Sequence, residues 1–91
     1  MKISENKKER ISEQILAFLY SISPRYSFTS HIALEIVRDE EFTKKLLIEL
    51  KNKNLVIEIR KNPAGENYTR RSRWKISDSV YDAYKLTQNK Y

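Results

Sequence analysis

Apolar residues recur at helical spacing as far as Lys53 and at strand spacing from Leu55 onward, and this change of period most constrains what the chain can fold into. Upstream, Ile11, Ile15, Phe18 and Ile22 form one stripe, widened by Leu16 and Leu19, which predicts a helix over about 4–21. Pro24 ends it by pushing Ser23 out of helical geometry. Arg25-Tyr26-Ser27-Phe28 alternates and predicts a short strand. Thr29 or Ser30 then caps a second helix, about 30–37, with Ile32, Ala33 and Ile36 facing inward. Arg38-Asp39-Glu40 reads as a turn. Asp39 caps a third helix, about 39–53, whose positive start suits Glu40 and Glu41. That helix buries Phe42 or Thr43, Leu46 or Leu47, and Leu50, and the pattern leaves the register open.

Beyond Lys53, Leu55, Ile57 and Ile59 point one way while Val56, Glu58 and Arg60 point the other. Trp74 and Ile76 alternate in the same manner with Arg73, Lys75 and Ser77. Between the two runs, Asn62-Pro63-Ala64-Gly65 has the residue order of a type I turn. An antiparallel hairpin with a long tip follows. Ser77 or Asp78 caps a last helix in which Val80, Ala83, Tyr84 and Thr87 share a face. The sum is one α+β domain over residues 1–91.

Composition removes most chemistry. With no Cys there are no disulfides and no thiolate zinc sites, and His31 is the single histidine. Gly65 is the single glycine, so no glycine loop can cradle a phosphate. Asp39, Glu40 and Glu41 are adjacent at a helix start and diverge, which suits capping better than magnesium. No enzyme, cofactor or metal is expected, and no segment points to a small-molecule effector. The longest apolar run, Ile15 to Tyr20, is far too short to span a membrane, and residues 1–6 have no apolar signal region. The expected location is the cytoplasm, with the nucleoid.

The charge is concentrated. Lys plus Arg number 18 and Asp plus Glu 12, a net +6. Residues 60–75 hold six of the basic side chains (Arg60, Lys61, Arg70, Arg71, Arg73, Lys75) against Glu66 alone, and so carry +5 of that total. A local basic stripe of this kind is the electrostatic footprint of nucleic-acid contact.

The segment from Leu47 to Val56 resembles the end of the recognition helix and first wing strand of winged helix-turn-helix DNA-binding proteins, which usually read Leu-x-x-Leu-x-x-x-Gly-Leu-Val there. Leu47, Leu50, Leu55 and Val56 match, and Asn54 replaces the glycine; asparagine also tolerates the left-handed helix end. Arg73-Trp74-Lys75-Ile76-Ser77-Asp78 is similar to the second wing strand running into a capped helix. The resemblance covers about residues 9–88, and in composition the chain is similar to small regulators of archaea and their viruses.

The resemblance implies a winged helix that binds double-stranded DNA in a sequence-dependent way as a transcription regulator. The implied wing contacts are Arg60, Lys61, Asn67, Tyr68, Arg70, Arg71, Arg73 and Lys75. Thr43, Lys44, Lys45 and Lys51 are the implied recognition-helix contacts, with Ile48 also near the outer face. Thr29, Ser30 and His31 would meet a phosphate at the start of the second helix. A homodimer is expected through Val80, Ala83 and Tyr84. The competing readings are a winged-helix protein-interaction module, whose basic wing meets an acidic partner, and a replication or partition factor that also binds DNA.

Overall fold

The computed structural model describes residues 5–60 and 72–88. The elements are α1 (Glu5–Ile22), β1 (Ser27–Phe28), α2 (Thr29–Ile36), α3 (Glu40–Asn52), β2 (Val56–Ile59), β3 (Arg73–Ile76) and α4 (Asp78–Gln88), in the order the periodicity predicts. The strands form one antiparallel sheet in the order β1-β3-β2.

The core is drawn from every element but β1 and α4. Ile11, Ile15, Leu16 and Leu19 of α1 are buried against Ile32 of α2, Leu46, Leu47 and Leu50 of α3, and Val56, Trp74 and Ile76 of the sheet. Phe18 and Ile22 only pack at its edge. The buried stripe of α1 is centred on Ile15 and Leu19 because α1 meets α2, α3 and β3 at once. In α3 the open register closes in favour of Thr43, Leu46, Leu47 and Leu50. Register within the sheet sets Val56 opposite Ile76 and Glu58 opposite Trp74, so the Val56 side of β2 is turned inward. Ile57 and Ile59, opposite Lys75 and Arg73, lie on the outer side.

Helix ends follow local chemistry, with one correction. Asp39 caps α3 as expected, its Oδ1 accepting from the Phe42 N–H at 3.0 Å. Ser77 caps α4, its Oγ accepting from the Val80 N–H at 3.4 Å. Asn54 lies in the left-handed region with φ 63°; its N–H bonds the Lys51 carbonyl at 2.9 Å and the Leu55 N–H bonds that of Leu50 at 2.9 Å, a Schellman end. At α2, however, neither Thr29 nor Ser30 caps. Phe28 holds the cap position with no side-chain hydrogen bond. Thr29 is inside the helix, and its hydroxyl accepts the indole N–H of Trp74 at 2.8 Å. Val37 ends α2 at φ 56°, ψ 52° and is 84% exposed. A β-branched residue there carries strain of about 1–2 kcal/mol with no side-chain burial to offset it. The short Val37-Arg38-Asp39 connection imposes it.

α4 docks on α1. The rings of Tyr81 and Tyr84 lie 5.2 and 5.3 Å from that of Tyr20. Burial, and then the charge of Glu13, hold the Tyr84 hydroxyl above its ordinary pKa. This corrects the expected dimer surface: Val80 and Tyr84 are half-buried against their own chain, and of the three residues Ala83 alone is exposed. Leu86, one turn further on, is 68% exposed. No helix among the described residues is long and apolar enough to cross a membrane.

Candidate nucleic-acid interface

The outward side of α3 presents Lys44, Lys45 and Ile48, all exposed. Two acids precede them at the exposed first turn, Glu40 and Glu41, where the helix dipole favours negative charge. Glu49 is drawn toward α1 by Lys8, whose Nζ is 3.4 Å from its carboxylate. Thr43 does not belong to this surface. It is fully buried, and its hydroxyl donates to the Asp39 carbonyl at 2.8 Å, so a DNA contact from it is ruled out by the register of the helix.

Lys51 also has a different partner from the one expected. Its Nζ donates to Glu58 Oε1 at 2.9 Å, and the other carboxylate oxygen accepts from the Ser72 hydroxyl. The Glu58 side chain is 11% exposed. One carboxylate thus ties the end of α3 to both edges of the hairpin. Burial by itself raises its pKa, but the hydrogen bonds from Ser72 and Lys51 and the charges of Lys51 and Arg60 outweigh that and hold it below 4.5. A depressed folded-state pKa contributes stability that is complete above the unfolded-state value and is lost as pH falls through the folded-state value. The Glu58→Gln variant is therefore expected to be less stable than the parent by ~1 kcal/mol at neutral pH, with the gap closing at acid pH. Urea unfolding at pH 7 and at successively lower pH, until the gap stops changing, checks this. A gap independent of pH would mean that the charge on Glu58 contributes nothing.

The hairpin carries Arg60 just after β2, exposed, and Arg73 and Lys75 on the outer side of β3, both half-buried. Lys75 Nζ stands 5.7 Å from the centre of the Tyr26 ring. Lys61, Asn67, Tyr68, Arg70 and Arg71, and the turn at 62–65, lie outside the described residues.

At the start of α2, Ser30 is exposed and Thr29 is half-buried. Thr29 accepts from Trp74, which leaves its own O–H available to donate. His31 is exposed, with its Nε2 3.6 Å from Glu35 and its ring 5.9 Å from that of Phe18. A carboxylate so close works against a phosphate contact by His31. Phe18, Ile22, Arg25, Tyr26, His31 and Glu35 are among the residues that border a groove of about 330 Å³, at the small end of ligand-pocket volumes. No group of three or more potential metal ligands occurs among the described residues.

No protein-family model matches the chain, and no curated protein is significantly similar to it. Solved structures are. The S. aureus MepR–DNA complex has a TM-score of 0.68 at 19% identity, over 93% of this chain and 73% of that one. ZitR of Lactococcus lactis, a zinc-responsive MarR family member, has a TM-score of 0.58 at 16% identity, over 99% of this chain and 56% of that one. NadR in complex with 4-hydroxyphenylacetate has a TM-score of 0.65 at 14% identity, over 92% of this chain and 62% of that one. The fold is a winged helix. This chain spans 53% to 73% of the length of the MepR structures it is similar to.

Within the winged helix, α3 is the helix that leads into the wing, and β2 and β3 are the wing strands. Two features escaped the sequence reading. Glu58 carried a usable signal, since an acid at an inward strand position next to Val56 requires a partner. The Trp74–Thr29 hydrogen bond spans 45 positions and left no local pattern to find.

Proposed function

We propose that this winged helix binds double-stranded DNA and acts as a transcription regulator by occupying its site, without catalysis. The observation that carries the reading is the placement of charge: residues 60–75 hold +5 of the net +6, on the element that a winged helix sets beside its recognition helix. Lys and Arg along a phosphate backbone gain affinity by releasing condensed counterions. In this reading Arg60, Lys61, Arg70, Arg71, Arg73 and Lys75 follow the backbone, with Asn67 and Tyr68 as neutral donors. Ser30, with the free O–H of Thr29, meets a phosphate at the start of α2. Lys44 and Lys45 enter the major groove and give sequence dependence. The chain works as a homodimer through Ala83 and Leu86, the exposed small and apolar residues of α4.

Selection from a random duplex library tests the reading. A preferred, palindromic site with half-sites about 34–36 Å apart is expected, matching a two-fold dimer. Binding without a preferred sequence would remove base readout by α3. Recovery of no duplex at low salt would remove the proposal and favour an acidic protein partner for the wing.

A further inference from the structure

Ile48 stands apart from the other leucines and isoleucines of α3. Leu46, Leu47 and Leu50 fill the core, whereas Ile48 is 40% exposed on the opposite side. Among the described residues of α3 that are exposed, it alone is apolar. Lys44 and Lys45 precede it by one turn and Asn52 follows it by one turn, so the four residues form one outward strip.

We infer that Ile48 is a specificity-determining residue that contacts the C5 methyl group of thymine in the major groove. This rests on the proposed docking of α3 against duplex DNA. Of the base edges exposed there, thymine alone offers an apolar group; the others offer donors and acceptors that an aliphatic side chain would desolvate without pairing. The helix rise places Ile48 about 4.5–6 Å along the axis from Lys44 and Lys45. With a base-pair spacing of about 3.4 Å, the thymine lies one or two base pairs from the bases or phosphates those lysines reach. The neighbouring charges do not interfere, because Glu49 is paired with Lys8 and Lys51 with Glu58.

The test uses the full chain and the duplex that selection yields, with each thymine replaced in turn by deoxyuridine, which removes the methyl group and nothing else. Burial of one methyl group corresponds to about four-fold in affinity. The parent is expected to lose about that factor at one thymine, or one per half-site. The Ile48→Ala variant is expected to lose a similar factor on the thymine duplex and to be indifferent to the same replacement, with circular dichroism confirming that it is folded. A parent that binds tightly but is insensitive to every replacement overturns this inference and leaves DNA binding intact. So does an Ile48→Ala variant as sensitive as the parent. Failure to bind any duplex overturns the inference together with the reading on which it rests.

Discussion

Replacing Arg70 and Arg71 together with alanine is expected to weaken binding to specific and nonspecific duplex alike, by ~30-fold near physiological salt. Each phosphate neutralised adds about 0.9 to the slope of log K against log salt on B-DNA, so two lost contacts lower the slope by about 1.8. Over the 0.8 decade between ~0.15 M and ~1 M salt, where the counterion term vanishes, that slope gives the ~30-fold factor. Uniform weakening is the signature of backbone contact, whereas loss of a base contact changes the preferred sequence. The fold is expected to survive, because Trp74 and Ile76 supply the core side of β3 and both arginines precede that strand in the sequence. Titration of DNA at several salt concentrations reads the effect. A folded double variant with the parent's salt slope would remove the wing from the interface.

Trp74→Ala is expected to cost ~3–5 kcal/mol, enough to unfold much of a domain whose total stability is of order 5–15 kcal/mol. Trp74 is fully buried, lies between β1 and β2 in the sheet, and donates its indole N–H to Thr29 at the start of α2. Its removal leaves a large cavity in the core and frees Thr29 from its partner. Because it is the single tryptophan, the variant must be followed by circular dichroism in urea and not by fluorescence. A loss below ~1 kcal/mol would show that the core closes without it.

Much of this fold was legible because its elements are set by local rules. The switch of period at Lys53 located the sheet, and Asp39, Asn54 and Ser77 marked helix ends by chemistry confined to a few neighbouring residues. What the sequence did not reveal depended on tertiary contacts. The resemblance places Thr43 on the outer face while the periodicity leaves it as a core alternative to Phe42, and a hydroxyl that bonds the carbonyl four residues back can be buried without penalty. Val80 and Tyr84 looked available for a partner because their share of a helix face does not say which surface covers it; Tyr20 of α1 helps to cover it. Lys51 looked like one more phosphate contact until the fold brought Glu58 within 2.9 Å of it.

The acidic start of α3 is compatible with a DNA-facing helix on electrostatic grounds. Asp39 is spent on the Phe42 N–H, and Glu40 and Glu41 sit against the positive end of the helix. Their field is thereby partly balanced before it reaches Lys44 and Lys45. With Glu49 and Lys51 also paired, Lys44 and Lys45 are the cations that α3 offers outward.

Amide chemical shifts recorded during titration with the selected duplex show most directly which face meets DNA. The largest changes are predicted at residues 44–48 of α3, at Thr29 and Ser30, and through residues 60–75, with α4 and the first turns of α1 unmoved apart from any dimer contact. Changes confined to α1 and α4, with α3 and the wing unaffected, would contradict the proposed interface.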